Sequence, residues 1–168
     1  MKRIGLLSDT HGNLDDTVFK YFKECDEIWH AGDIGHIDVA NKLSSFKPLK
    51  AVYGNIDGTE IRSSYTKFLI FTCEEVKIVL THIGGTPGKY EPSSRKIIQD
   101  LHPKLFICGH SHILRVKYDQ KYNLLYMNPG AAGNQGFHKV KTLIRFTINK
   151  LEIKDLEVIE YPRNQNYP

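Results

Sequence analysis

Five short polar segments, each directly after an apolar run typical of a β-strand, constrain this chain more than any other feature of its sequence. They are Asp9-Thr10-His11, Gly32-Asp33, Gly54-Asn55, Thr81-His82 and Gly109-His110-Ser111-His112. Together they hold two carboxylates, one carboxamide and four imidazoles. Because the loops after the carboxyl ends of strands converge in open α/β sheets, we expect these side chains to lie close together. Such a set suffices for two adjacent divalent metal ions, a pair that proteins commonly use to hydrolyse phosphate esters.

The length and charge of the chain are those of one ordinary globular domain. Its 168 residues are enough to bury a core without disulfide or metal staples, and its formal net charge is +4. The lysines and arginines are scattered, so the charge is compatible with an anionic substrate but does not establish nucleic-acid binding. We expect a single domain over residues 1–160 and a loose C-terminal tail over residues 161–168.

The cysteines and the apolar stretches indicate a location in the cytoplasm. Cys25, Cys73 and Cys108 are odd in number, far apart and without C-x-x-C spacing, so reduced, packed thiols are expected rather than disulfides or a thiolate zinc site. No stretch is apolar enough to span a membrane, and the N-terminus runs directly into a strand pattern. We therefore expect a cytoplasmic protein that does not associate with membranes.

Apolar periodicity predicts alternating strands and helices in the first third of the chain and mainly strands in the rest. Predicted strands cover residues 4–7, 27–30, 49–53, 68–71, 76–80, 105–108, 114–118, 124–127, 143–148 and 151–159. Predicted helices begin after Asp15 or Asp16 and cover residues 37–46 and 93–101. The alternation favours parallel strands with right-handed crossovers, and the later strands favour antiparallel pairing. The pattern predicts an α/β (α+β) fold with two mixed β-sheets packed face to face and helices outside.

The spacing within two of the polar segments is informative. Asp9 and His11 are two residues apart, and so are His110 and His112. In extended backbone, residues two apart point to the same side, so each pair is expected to aim at a common centre. A single D-x-H or G-N is unspecific; the ordered combination, each after a buried strand, is what indicates a metal centre.

The order D-x-H, G-D, G-N, H and G-H-x-H resembles the calcineurin-like metallophosphoesterase superfamily. The short length, the Gly-Asn-Ile-Asp run at residues 54–57 and the Asn-Pro-Gly run at residues 128–130 resemble its small YfcE-type members. The resemblance covers residues 1 to about 150. It implies a four-layer αββα sandwich with a binuclear metal centre.

The resemblance also implies a role for each polar side chain. It assigns seven metal ligands in two sets joined by one bridging carboxylate: Asp9, His11 and His112 for the first ion, Asn55, His82 and His110 for the second, and Asp33 for both. Imidazole, carboxylate and amide donors suit manganese, our first choice, and also iron, zinc or nickel. The implied reaction is in-line attack of a metal-bridging hydroxide on a phosphodiester, with Asp33 and Asn55 at the catalytic centre.

The chain departs from the superfamily pattern at one position. Many members follow the motif asparagine with a histidine that protonates the leaving group, whereas this chain has Ile56 after Asn55. Either another histidine replaces it, for which His36 and His138 are the candidates, or the enzyme favours activated or cyclic esters that need little protonation.

Other polar residues are expected to be structural. His30 lies within a predicted strand, and His102 ends a predicted helix, where a cation is favoured. Asp57 fits a turn, with support of Asn55 as the alternative.

Three functional classes follow. The first is a phosphodiesterase acting on small or nucleotide-like phosphate esters. The second is a partner-binding scaffold like the retromer subunit of this fold, which has an altered metal site, whereas every ligand position is intact here. The third is a nuclease, although 168 residues leave little room for DNA-binding elements and no basic stripe with interleaved aromatics is present. Apolar edge strands are compatible with a homodimer or larger homo-oligomer.

Overall fold

The computed structural model describes residues 1–163, and these residues contain twelve strands and four helices. In chain order the elements are β1 (Lys2–Leu7), α1 (Asp16–Phe22), β2 (Glu27–His30), α2 (Ile37–Phe46), β3 (Leu49–Ala51), α3 (Thr59–Ser64), β4 (Phe68–Cys73), β5 (Val76–Thr81), β6 (Gly85–Thr86), β7 (Lys89–Tyr90), α4 (Pro92–Leu101), β8 (Leu105–Ile107), β9 (Leu114–Asp119), β10 (Leu124–Pro129), β11 (Val140–Asn149) and β12 (Glu152–Pro162).

The strands form two five-stranded mixed sheets and a small hairpin. The first sheet has the order β12-β11-β1-β2-β3, in which β1, β2 and β3 are parallel and β11 and β12 are antiparallel additions. The second has the order β4-β5-β8-β10-β9, in which β5, β8 and β10 are parallel and the edge strands β4 and β9 are antiparallel. Strands β6 and β7 pair with each other alone. The predicted mixed sheets are confirmed.

The sheets pack face to face through alternate residues of their strands. Ile4, Leu6 and Trp29 of the first sheet share a buried cluster with Ile78 and Ile107 of the second. Because side chains alternate across a strand, the residues between them face the opposite side and meet the helices. This inner cluster is the hydrophobic core between the two sheets.

Helices cover the outer face of each sheet. Phe22 of α1 and Leu43 of α2 pack with Ile28 of the first sheet. On the other side of the molecule, Ile98 of α4 packs with Phe106 of the second sheet. The layers are therefore helices, sheet, sheet and helix, and the expected αββα sandwich is confirmed.

Local capping explains where the helices begin and end. The side chain of Asp15 accepts a hydrogen bond from the Thr17 N–H and caps α1, which decides between the two predicted aspartates. Glu91 caps α4 ahead of Pro92, and His102 ends that helix in a left-handed conformation with φ of 46°.

The elements that sequence patterns missed are all short. Helix α3 buries only Ile61 and so shows no apolar periodicity, and β6 and β7 have two residues each. The third strand is shorter than expected, because β3 ends at Ala51 and Val52 forms only an isolated bridge with Thr66.

The C-terminal prediction needs correction at its start. Strand β12 continues to Pro162, and Tyr161 is buried and paired with Lys141, so these residues are not part of a loose tail. Residues 164–168 of the expected tail lie outside the described residues. Across residues 1–163, every helix is too short or too polar to span a lipid bilayer.

Candidate metal centre

Loops after the six parallel strands meet at one edge of the sandwich, and hydrogen bonds between their backbones join them. The Asp9 N–H donates to the Gly32 carbonyl at 3.0 Å, linking the loops after β1 and β2. The Gly109 N–H donates to the His82 carbonyl, and the Gly133 N–H donates to the Asp9 carbonyl, each at 3.0 Å. The last of these bonds joins the loop of residues 130–139, after β10, to the loop after β1.

The first group of candidate ligands consists of Asp9, His11 and His112, whose donor atoms lie within 4.8 Å of one another. Asp9 Oδ1 is 3.2 Å from His112 Nε2 and 3.8 Å from His11 Nε2. Asp9 Oδ1 and His11 Nε2 are buried and have no hydrogen-bond partner among the described residues. Buried polar atoms are costly without a partner, so this pair of atoms fits a cation.

The other oxygen of Asp9 fixes the carboxylate in place. Asp9 Oδ2 accepts the Ser8 hydroxyl at 2.6 Å and the His110 N–H at 3.1 Å. Burial by itself would raise the pKa of Asp9, but the side chains of His11 and His112 outweigh it and hold the pKa well below its usual range. The carboxylate is therefore ionised and presents Oδ1 to the imidazoles.

The second group consists of Asp33, His82 and His110, with Asn55 beside them. His82 Nδ1 donates its proton to the Ala31 carbonyl at 2.7 Å, which leaves the lone pair on Nε2. That nitrogen faces Asn55 Oδ1 at 3.1 Å and Asp33 Oδ2 at 3.2 Å. Three acceptors that face one another repel unless a cation lies between them.

The pKa shifts of His82 and Asp33 also indicate that a cation fits beside His82 Nε2. Burial opposes its imidazolium form, but the carboxylates of Asp33 and Asp9 outweigh burial and raise the pKa of His82. The pKa of Asp33 is lowered, since the contact with His82 outweighs its own burial. Both shifts show that the site stabilises positive charge at Nε2, which a divalent metal ion can supply in place of a proton.

Asp33 lies between the two groups. Its Oδ2 atom is 3.5 Å from His11 Nε2 in the first group and 3.2 Å from His82 Nε2 in the second. Its Oδ1 atom accepts the Ile56 N–H at 3.1 Å. One carboxylate oxygen thus faces ligands of both groups, as a bridging ligand must.

The backbone at these ligands differs from the sequence-based expectation. Asp9, His11, His110 and His112 have φ between 48° and 70°, which is left-handed rather than extended. His110 and His112 also belong to different groups, so the prediction that each spaced pair shares one centre is wrong for them. Tight turns, rather than strand alternation, aim these side chains.

Two residues outside the predicted ligand set support the loops. Asp57 is buried, and its carboxylate accepts the N–H groups of Ile34, Gly35 and Gly54 at 2.7 to 3.1 Å, which joins the loop of Asp33 to that of Asn55. The Asp57 N–H also donates to the Gly54 carbonyl at 3.3 Å, which is the expected turn, and its carboxylate contacts Gly54 rather than Asn55 itself. The Asn128 amide donates to the Gly109 carbonyl at 2.9 Å and so holds the G-H-x-H loop. In the sequence, only the Asn-Pro-Gly run at residues 128–130 pointed to this asparagine.

His30 is a structural histidine, as expected. It is fully buried, and its Nδ1 accepts the Gly32 N–H at 3.1 Å while its Nε2 contacts the Thr10 hydroxyl at 2.9 Å. Burial lowers the pKa of His30 to about 4, so the ring is neutral at pH 7.

Comparison with known protein families agrees with the fold and with the arrangement of the candidate ligands. The sequence model of the calcineurin-like phosphoesterase superfamily domain matches residues 1–151. The chain belongs to this superfamily. Its members depend on metal ions, and within residues 1–163 the two groups of candidate ligands fit such ions.

Relatives agree with this membership. A probable metallophosphoesterase of Methanothermobacter thermautotrophicus is 28% identical over 136 residues, which is 76% of both chains. A probable metallophosphoesterase of Methanocaldococcus jannaschii is 24% identical over 164 residues, covering 94% of this chain and 82% of the relative.

Solved structures share the fold. An archaeal phosphodiesterase has a TM-score of 0.73 and 21% identity, with 94% of this chain and 99% of that chain covered. Vps29 of Chaetomium thermophilum has a TM-score of 0.75 and 16% identity, with 98% and 100% covered. At these identities the similarity shows a common architecture, and it does not choose between the functions of the two neighbours.

The candidate proton donors of this calcineurin-like domain have different surroundings. Ile56 is exposed and has no group that could donate a proton from its side chain. His36 is exposed, and its Nδ1 accepts the Asp38 N–H at the start of α2. The His138 ring lies edge-on to that of His112 with centroids 5.3 Å apart, its Nε2–H donates to the Gly133 carbonyl, and its buried Nδ1 has no partner among the described residues.

Two cavities adjoin the second ligand group. The larger, about 780 Å³, reaches His110 and extends along the β6–β7 hairpin. The smaller, about 230 Å³, is lined by Asn55 and His82 together with the cations Arg62 and Lys67. Ile83 borders both cavities, so they are neighbours, each reaching different members of the second ligand group.

Proposed function

We propose that this calcineurin-like domain is a phosphodiesterase that works with two divalent metal ions. The observation that carries the proposal is Asp33 Oδ2, which faces His11 Nε2 of one ligand group at 3.5 Å and His82 Nε2 of the other at 3.2 Å. The first ion would be held by Asp9, His11 and His112, and the second by Asn55, His82 and His110. When bound, a pair of such ions lowers the pKa of water and neutralises charge on phosphate oxygens.

The residues of the chain supply positioning and charge. Asp33 would hold both ions at a set separation, and Asn55 would add a neutral oxygen donor that leaves the site net positive. Arg62 and Lys67, in the smaller cavity, would attract the phosphate anion. Manganese remains our first choice of metal, and iron, zinc and nickel also suit these donors.

Two cavities beside one centre support a diester over a monoester. A phosphodiester carries two organic substituents, and each cavity could receive one of them. The proposed substrate is therefore a small or nucleotide-like diester.

Removing metal is expected to abolish hydrolysis reversibly. Protein treated with EDTA should not cleave bis(p-nitrophenyl) phosphate, and Mn²⁺ should restore turnover with two ions bound per chain, measured by mass spectrometry. The melting temperature should rise by about 5 °C or more with metal, because ligands that bind only the folded state stabilise it. p-Nitrophenyl phosphate, the matching monoester, should give a lower kcat/KM than the diester. Full activity in the presence of EDTA would contradict the proposal.

The scaffold function is the alternative, and the Vps29 neighbours are the reason to test it. One of these structures is a complex of Entamoeba histolytica Vps29 with Zn²⁺. Metal binding by itself therefore does not separate the two functions, and turnover is the measurement that does. Metal-loaded protein that hydrolyses no ester would favour the scaffold.

A histidine in place of the missing proton donor is a further part of the proposal. His138 lies beside the candidate ligand His112, whereas His36 caps α2. We expect His138→Ala to lower kcat for diesters with alkyl leaving groups about 100-fold, and to have little effect on p-nitrophenyl esters, whose leaving group needs no proton. His36→Ala is the matched comparison. An unchanged dependence of rate on leaving-group pKa in both variants would exclude a histidine donor and leave activated or cyclic esters as substrates.

The cellular setting remains a proposal. Cys25, Cys73 and Cys108 are buried and free, and burial raises the pKa of Cys25 to about 11 and that of Cys108 to about 12. Protonated, packed thiols support the expected cytoplasmic location. Exposed Val116 and Tyr118 on the edge strand β9 are compatible with a homodimer.

A further inference from the structure

The larger cavity is a groove that begins at the metal centre and runs away from it. His110 of the second ligand group lines its inner end, and the β6–β7 hairpin, the start of α4 and the start of β9 form its walls. Its volume of about 780 Å³ lies in the range of sites for nucleoside-sized ligands. Whatever group is attached to a phosphate at the ligands can extend into this groove.

The walls of the groove are apolar. Tyr90 and Tyr126 are buried behind it, and both hydroxyls already have partners: Tyr90 donates to Asp119 Oδ2 and Tyr126 donates to the Gly85 carbonyl, each at 2.8 Å. The rings therefore contribute carbon surface to the groove. Ile113 adds a further apolar side chain, 66% exposed. Such a surface suits a flat aromatic group.

The cations of the groove are available for a ligand. Arg115 Nη1 donates to the Thr86 hydroxyl at 2.7 Å, and this bond orients the guanidinium. A guanidinium has five N–H donors, and this bond uses one of them. Within residues 1–163, neither Arg115 nor Lys89 forms an ion pair with a carboxylate. Glu91 also lines the groove, but its carboxylate accepts N–H groups of Ser93 and Ser94 at the start of α4.

We infer that the groove binds the aromatic, nucleoside-sized substituent of the phosphodiester, and that Arg115 determines specificity by pairing with a second phosphate on that substituent. The inference rests on the proposed function, because the groove is defined by its opening at the metal ligands. It assigns the substrate class as a nucleotide ester with an additional phosphate, such as a short oligonucleotide end or a dinucleotide. The bidentate geometry of guanidinium suits phosphate oxygens, and the apolar walls suit the base.

Three diesters with the same p-nitrophenol leaving group test the inference. They are methyl p-nitrophenyl phosphate, thymidine 5′-(p-nitrophenyl phosphate) and the 3′-phosphorylated form of the latter. With Mn²⁺, the wild-type kcat/KM should rise in that order. Arg115→Gln should lower about tenfold the factor by which kcat/KM of the 3′-phosphorylated ester exceeds that of the thymidine ester. Ile113→Ala should lower the factor by which kcat/KM of the thymidine ester exceeds that of the methyl ester. Lys117→Gln, two residues along β9 on the same face but outside the groove, should change neither ratio.

A binding measurement separates failure of the groove from failure of the enzyme. Thymidine 3′,5′-bisphosphate should bind the Mn²⁺-loaded wild type about tenfold more tightly than Arg115→Gln, measured by calorimetry. Equal affinities of the wild type and Arg115→Gln would overturn the inference, as would an Arg115→Gln variant that lowers kcat/KM equally for all three esters. Neither result would count against the proposed phosphodiesterase function. If no ester is hydrolysed but the difference in affinity is found, the proposed function fails and the groove stands.

Discussion

Replacing Asp33 with asparagine is expected to lower kcat/KM for bis(p-nitrophenyl) phosphate about 1,000-fold, which corresponds to about 4 kcal/mol of transition-state stabilisation. Asp33 Oδ2 faces His11 in one ligand group and His82 in the other, so both proposed ion sites would lose a charged ligand at once. The amide is neutral and a poor bridge, and the metal content should fall below two ions per chain. Steady-state kinetics and metal analysis on the same preparation measure both effects.

A matched aspartate controls for the loss of charge. Asp100 is exposed on α4 and pairs with Lys96, so Asp100→Asn removes one carboxylate without touching the site. This variant should keep its activity and metal content. Asp33→Asn protein that binds two ions and turns over at the wild-type rate would show that Asp33 does not bridge.

Replacing Gly54 with alanine is the second large effect that we expect. A Cβ atom at this position would lie 2.0 Å from Asp33 Oδ1 and 2.3 Å from the Asp33 backbone nitrogen, which is too close for any contact. The clash is not easily relieved, because the Ile56 N–H holds Asp33 Oδ1 and the bond from the Gly54 N–H to Asp57 holds Gly54 itself. We expect kcat/KM to fall about 100-fold, since the carboxylate proposed to bridge the two ions would be displaced, and the melting temperature to decrease.

Gly58, four residues along the chain, is the matched control. A Cβ atom there meets nothing within 4 Å, and the backbone φ of −82° is open to alanine. Gly58→Ala changes only the cap of the short helix α3, so its activity should match that of the wild type. Equal losses in both variants would mean that the loop tolerates no substitution, and would remove the argument for displacement of Asp33.

Strand and helix patterns predicted most of the fold because local sequence controls local burial. Ile4, Leu6 and Leu7 show a strand buried on both faces, and Val39 with Leu43 shows the inward face of α2. The β6–β7 hairpin was missed because two-residue strands carry no pattern. The hairpin forms one wall of the groove, so part of the proposed substrate site is a region that periodicity could not detect.

The sequence by itself determined the chemistry of the site: which donors are present, their order and their position after buried strands. Only the tertiary structure decided which donors come together in each candidate ion site. Asp9 meets His112, from the other sheet, and left-handed turns rather than strand alternation aim both side chains. The Ala31 carbonyl, which follows β2 of the first sheet, accepts the Nδ1 proton of His82 after β5 of the second, and so leaves Nε2 free for a cation. These contacts join residues far apart in the chain, and they exist only because burial of the inner core holds the two sheets together at the edge where their loops meet.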